Sequence, residues 1–183
     1  MRVVSGMARG RKLKSLSGNT IMPTTDMVKE SIFNIIQFDI EGRSVLDLFA
    51  GTGQLGIEAL SRGAKSVVFV DSNPEAQMLI RENTELCGFM DSAAIVRRDA
   101  LRYLEGSEKF DLIFIDPPYA TALAAKVLSK INEFDKLNVN GIIICELSAE
   151  KEPPAVTLPY FLQKEYRYGR VKIARYTRGR KDL

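Results

Sequence analysis

The chain has no histidine and only two cysteines. Without histidine, Ser-His and Cys-His nucleophilic catalysis are excluded, and the usual transition-metal ligand is missing. Acid–base work is left to carboxylates, lysine, tyrosine and the backbone. Cys87 and Cys145 stand far apart with no CxxC spacing. Neither a disulfide framework nor a metal site is therefore expected, and both thiols read as core fillers. No apolar run reaches the length of a membrane span, and the basic amino terminus lacks the apolar stretch of a secretory signal. A cytoplasmic protein without a membrane partner is expected. Repeats, low-complexity tracts and Pro/Gly/Ser-rich linkers are also missing. The 183 residues then suit one domain with a real core.

What is present is unevenly charged. The net charge is only +3. Yet the first twenty residues carry Arg2, Arg9, Arg11, Lys12 and Lys14 and no acid, and the last twenty carry eight basic residues against Glu165 and Asp182. The body between them is net acidic. Two basic ends on an acidic body suggest a positive surface for phosphates. The plainer reading is that they merely solvate frayed termini.

The order of elements is informative. Segments 2–5 and 12–16 read as short strands of a hairpin around Gly6 and Gly10. Thr24 or Thr25 can cap a helix reaching about residue 38, with Val28, Ile32, Ile35 and Ile36 at helical spacing. Then strands and helices alternate. Strands are expected at 44–49, 66–70, 93–97, 110–115 and 141–147. Helices are expected at 53–62, 74–86, 100–104 and 122–134. Two extended segments, 162–168 and 170–176, flank Gly169 as a closing hairpin. Near-continuous apolar strands alternating with helices mean an α/β fold with a parallel sheet covered on both faces. The closing hairpin adds an antiparallel edge.

The first strand runs into Asp47-Leu48-Phe49-Ala50-Gly51-Thr52-Gly53-Gln54-Leu55-Gly56. Gly51, Gly53 and Gly56 satisfy G-x-G-x-x-G between a strand and a helix, and Asp71 ends the next strand. Taken mechanically, this is a dinucleotide fingerprint with its ribose-binding acid, so a nicotinamide-dependent oxidoreductase is one reading. A pyrophosphate, however, wants backbone N–H groups and no nearby anion. Asp47 stands just before the loop. A cofactor with a positive centre and no phosphates suits it better, and S-adenosylmethionine is such a cofactor. Asp71 can accept both ribose hydroxyls. Asp99 can accept the adenine amine, or simply cap the helix that follows it. Acids then end four successive strands, at Asp47, Asp71, Asp99 and Asp116.

Asp116-Pro117-Pro118-Tyr119 follows the strand 110–115. Two prolines cannot continue a central strand, so a carboxylate, rigid carbonyls and an aromatic ring are held at its carboxyl end. That turn suits a nucleobase with an exocyclic amine. Asp116 and the Pro117 carbonyl would each accept one N–H, and Tyr119 would stack on the ring. The base must be single-stranded or flipped out to reach it. The turn cannot separate guanine N2 from adenine N6 in DNA or RNA. A non-catalytic RNA-binding module on the same fold is a further alternative.

These residues resemble a known family. Arg2-Val3-Val4-Ser5-Gly6 with Arg9-Gly10-Arg11-Lys12-Leu13, Pro23-Thr24-Thr25-Asp26 with its helix, the loop from Leu46 to Gly53 with the helix to Ala64, and Asp116-Pro117-Pro118-Tyr119 are similar to the bacterial 16S ribosomal RNA guanine-N2 methyltransferases, the RsmD family. The resemblance covers essentially the whole chain. It implies a Rossmann-like class I methyltransferase fold, with a mostly parallel seven-stranded sheet and a small amino-terminal hairpin extension at 1–20. A leading helix at 21–40 and a catalytic core at 41–183 would follow. It implies a monomer that uses S-adenosylmethionine to methylate a guanine of 16S rRNA in an assembling or assembled small subunit. Catalysis would rest on Asp116, Pro117, Pro118 and Tyr119. The cofactor would lie against Asp47, Phe49, Ala50, Gly51, Thr52, Gly53, Gly56, Asp71, Ser72, Asn73, Asp99 and Ala100. RNA would be gripped by Arg9, Arg11, Lys12, Thr24, Thr25 and Lys29. Met22 and Met27 stand where the family commonly carries basic residues, and Lys29 is expected to compensate.

Overall fold

In the computed structural model, residues 1–15, 25–118 and 122–179 are described. Seven strands form one sheet in the order β3-β2-β1-β4-β5-β7-β6. β1 (Ser44–Leu48), β2 (Ser66–Asp71), β3 (Ala93–Arg97), β4 (Phe110–Ile115) and β5 (Leu137–Ser148) are parallel. β6 (Tyr160–Tyr168) and β7 (Val171–Arg178) form the closing hairpin, with β7 antiparallel to β5. The chain steps outward from β1 to β3 and returns to β4 on the other side of β1. The strand order therefore reverses between β1 and β4, and a crevice opens beyond their carboxyl ends.

Both faces of the sheet are covered. Val45, Phe69, Leu112, Phe114 and Ile144 pack with α1 (Asp26–Ile35) and α2 (Gln54–Ser61) in one core. Leu46, Leu48, Ile113, Ile115 and Ile143 pack with α4 (Ala100–Tyr103) and α5 (Leu123–Glu133) in the other. Alternate residues of each strand point to opposite cores, as the two-residue strand period requires. α3 (Pro74–Cys87) starts with proline in its first turn and an Asn73 cap, and it ends at left-handed Gly88. Cys145 is buried and Cys87 half-buried, and both are free thiols.

Some boundaries differ from expectation. α1 stops at Ile35, and Phe38 is 93% exposed in the turn beyond it. β5 begins at Leu137, because a register shift opposite Phe110 and Leu112 lets it carry an irregular polar stretch before Gly141. Among the described residues, the amino-terminal hairpin holds a single antiparallel bridge, Arg2 to Lys12, and not two strands; Leu16, expected to end the second strand, lies outside them. Val3, Ala8 and Leu13 nonetheless anchor it in the first core.

Candidate active site

The loop between β1 and α2 is shaped by backbone conformation. Phe49 has φ 63°, Gly51 φ 55° and Gly53 φ 79°. Glycine takes such values freely, whereas Phe49 does so under strain of a kind concentrated at functional sites. Gly53 caps α2 in the left-handed region, packed against Ile57, Ile80 and Phe69, whereas Gly51 has almost open space where a Cβ would stand and leaves the loop backbone there open to a guest. Gly56 serves a different end. A Cβ there would sit 2.3 Å from Phe69 Cε1, so only glycine lets α2 lie this close to β2.

Asp47 and Asp71 organise the loop, and Asp116 follows the strand beside it. Asp47 is 2% exposed, and its Oδ2 accepts the Gly56 N–H at 2.9 Å. Burial pushes its carboxyl up to about 8, opposed by that N–H and reinforced by the charges of Asp116 and Asp71. Asp71 Oδ2 accepts from Gly51 N at 2.9 Å and its Oδ1 from Asn73 N at 2.9 Å. Each oxygen keeps a second lone pair for a ligand hydroxyl. Asp116 follows the last residue of β4, half-buried, with Pro117 buried and Pro118 exposed beside it. A cavity of about 320 Å³ lies against both prolines.

The structure thus gathers Asp47, the 49–53 loop, Gly56, Asp71, Ser72, Asn73, Asp116 and Pro117 where β1, β2 and β4 end. Asp99 and Ala100 stand at the end of β3, and Asp99 Oδ1 caps α4 through Arg102 N at 3.1 Å. Tyr119 and Thr24 lie outside the described residues, as does Met22. Asp47 requires a correction of emphasis. Its carboxylate turns inward to hold the amino end of α2, and so it positions the loop from beneath.

Arg9, Arg11 and Lys12 are exposed on the hairpin. Thr25 is exposed too, but its hydroxyl caps α1 by accepting from Val28 N at 3.3 Å. Lys29 is a correction. It is fully buried, and its ammonium donates to the Arg2 carbonyl and faces Asp26 at 3.6 Å and Glu58 at 3.9 Å. It cannot reach an RNA phosphate from there and instead ties the hairpin to α1. The sequence carried the signal, since position 29 shares a helical stripe with Ile32, Phe33 and Ile36.

Residues that sequence reasoning passed over complete the frame. Glu58, fully buried, accepts from Val4 N at 2.7 Å, Ser5 N at 2.9 Å and Arg62 Nε at 2.9 Å. Ser61 Oγ accepts from Ala8 N at 2.9 Å and donates to the Ser5 carbonyl at 2.6 Å. Asn83 Nδ2 donates to the Thr52 carbonyl at 2.9 Å. Glu146 lines the cavity beside Pro117 and Pro118. Its signal was a lone acid closing an apolar strand.

The family described as "Conserved hypothetical protein 95" matches residues 1–177. The ribosomal RNA small subunit methyltransferase D of Haemophilus influenzae is 35% identical over 161 residues, covering 86% of this chain and 82% of its own. Its Escherichia coli namesake is 31% identical over 180 residues, covering 97% and 90%. The solved structure of a hypothetical protein from Thermus thermophilus superposes with a TM-score of 0.81 at 26% identity, covering 96% of this chain and 98% of that one. With the glycine loop, the strand-end acids and the Asp-Pro-Pro turn assembled at the reversal of strand order, the chain is a methyltransferase and belongs to the family of the ribosomal RNA small subunit methyltransferases D.

Proposed function

We propose that this chain methylates the exocyclic N2 amine of a guanine in 16S rRNA, with S-adenosylmethionine as donor. One observation carries the reading: Asp116 and Pro117 follow β4 directly beside the end of β1, whose glycine loop is held by Asp71 through the Gly51 N–H at 2.9 Å. The acids Asp71 and Asp116 beside one loop disfavour a pyrophosphate and suit a cationic guest. The Gly51–Gly53 backbone would approach the cofactor, Asp71 would take its ribose hydroxyls, and Asp99 with Ala100 would lie at its adenine. S-adenosylmethionine, when bound, supplies a methyl group already activated by a positively charged sulfur.

The protein's part is then mostly positioning. An aromatic amine is a weak nucleophile because its lone pair spreads into the ring. Asp116 and the Pro117 carbonyl, each accepting one N–H, would aim that lone pair along the line of attack. As the N–C bond forms and the S–C bond breaks, the nitrogen loses a proton, and Asp116 is placed to take it. Tyr119, next along the turn, is assigned the stacking face for the base. Names shared with relatives that act on small-subunit rRNA support the choice of RNA.

The test is methylation of small ribosomal subunits lacking the modification, and of naked DNA, with the product nucleoside identified by mass spectrometry. N2-methylguanosine in 16S rRNA is expected. N6-methyladenosine would replace this reading with adenine methylation. Asp116→Ala should abolish turnover while calorimetry still detects S-adenosylmethionine binding. Near wild-type turnover would remove Asp116 from its role.

A further inference from the structure

The last registered pair between β4 and β5 is Ile115 with Cys145. The next residues along the two parallel chains are Asp116 and Glu146. The cavity of about 320 Å³ opens beside this pair, lined in part by Pro117, Pro118, Glu146, Leu147 and Ser148. That volume falls at the lower end of the range for small-molecule sites and admits one planar heterocycle. Among the charged lining residues, Lys151 and Glu152 are exposed at the rim, whereas Glu146 is 4% exposed. The chemistry assigned to Asp116 and Pro117 gives this inner carboxylate no task.

We propose that Glu146 determines specificity for guanine by accepting the N1–H next to the reacting amine. This rests on the guanine-N2 reading above. Guanine presents an unbroken edge of donors, N1–H followed by the 2-amine. Adenine, turned so that its 6-amine takes the same place, presents at N1 a bare lone pair. A carboxylate opposite that lone pair gains nothing and is repelled. An analogue that cannot donate leaves the buried acceptor unpaired, and that penalty discriminates against it. One buried acid would thus separate the two amines that the Asp-Pro-Pro turn cannot tell apart.

The experiment uses the full chain on small subunits reconstituted with 16S rRNA that carries either guanine or 2-aminopurine at the mapped target position. 2-Aminopurine keeps the 2-amine but has no N1–H. Wild type should prefer guanine in kcat/KM by about tenfold to a hundredfold. Glu146→Gln offers an amide N–H to the bare N1, so its preference should shrink to within about threefold or invert, with S-adenosylmethionine affinity unchanged. If Glu146→Gln keeps the full preference, or if wild type methylates both bases equally, the inference fails while guanine-N2 methylation stands. If wild type methylates no guanine at all, the underlying reading fails and takes the inference with it. Should Glu146→Gln lose cofactor binding through misfolding, Glu146→Asp replaces it. By withdrawing the carboxylate one methylene, that variant should narrow the ratio, and an unchanged ratio overturns the inference.

Discussion

Asn83 and Lys14 are bonded in both directions: Asn83 Oδ1 accepts the Lys14 N–H at 2.7 Å, and its Nδ2 donates to the Lys14 carbonyl at 3.0 Å. The same amide nitrogen holds the Thr52 carbonyl at 2.9 Å. One buried side chain on α3 therefore joins the amino-terminal segment to the cofactor loop. Asn83→Ala removes three hydrogen bonds and is expected to cost about 2–3 kcal/mol by urea unfolding. It should also weaken S-adenosylmethionine binding through the loosened loop. A stability loss with unaltered cofactor affinity would show that Thr52 does not need this anchor.

Gly56 sits against Phe69, and two effects of opposite sign meet there. Replacing glycine by alanine inside a helix ordinarily stabilises by about 0.5–1 kcal/mol. Here the new Cβ would meet Phe69 Cε1 at 2.3 Å and Val67 Cγ1 at 2.8 Å. Overpacking of that kind costs about 1–3 kcal/mol, so Gly56→Ala should destabilise. Combined with Phe69→Leu, it should cost less than the sum of the two single changes, which a double-mutant cycle in urea would measure.

Asp47 gives the protein an unusual pH dependence. Burial raises its carboxyl to about 8 in the folded state, while the unfolded chain ionises near the ordinary value of 3.8. Between those limits the folded state holds a proton that the unfolded state has released. Stability from this group is therefore lost progressively as pH rises from about 4 and levels off near 8. Asp47→Asn still accepts the Gly56 N–H and should remove that slope. Unfolding free energies at pH 5, 6, 7 and 8 for both proteins check it; parallel curves would refute the assignment.

Glu58 neutralises a lysine that has no route to solvent. Burial lowers the Lys29 ammonium from its ordinary range, and Glu58 and Asp26 oppose that shift. Glu58→Ala would strand the buried cation and the Val4 and Ser5 N–H groups, at a cost of about 3–5 kcal/mol. Limited proteolysis should then cut within residues 1–15 before the sheet unfolds. Lys29→Met with Glu58→Gln should lie closer to wild type, because the buried cation is removed together with its carboxylate and the Gln oxygen can still accept from the hairpin N–H groups and Arg62.

Arg9, Arg11 and Lys12 are exposed cations of the hairpin, and unlike the equally exposed Arg2 and Lys14 none of them forms a salt bridge with a described acid. Replacing all three by alanine should weaken RNA binding and flatten its dependence on salt by about 0.7–0.9 for each phosphate no longer neutralised. Filter binding across a salt series reads the slope. An unchanged slope would move the RNA surface elsewhere, for instance to Arg167 and Arg170 at the β6–β7 turn.

Much of this was legible in the sequence for a physical reason. Buried parallel strands need unbroken apolar runs, and helix ends need caps, so β3 and β4 fall where the residues place them and α3 begins at Pro74. Long-range polar contacts are not written locally. Nothing near Lys29 announces that Glu58 waits across the packing interface, so its charge read as a surface grip. The start of β5 was hidden because Asn138 and Asn140 break the apolar pattern, and only the pairing of Leu137 with Phe110 carries the strand back past them. Asp47 was found as a site residue, but its inward direction depends on the N–H of a glycine nine residues on.

A Cβ on Gly6 would fall 1.8 Å from the Ser61 carbonyl oxygen, so the hairpin tip rests flush on the far end of α2. The eight residues of that helix, about 12 Å long, separate the tip from the glycine loop. Under the proposed function the two ends would act as the jaws of a fixed caliper, one set for a phosphate and the other for the methyl donor. A nucleotide whose base stood at the wrong span from its own backbone would then arrive off the line of attack, whatever its chemistry, and length would become a criterion of choice alongside the pattern of donors.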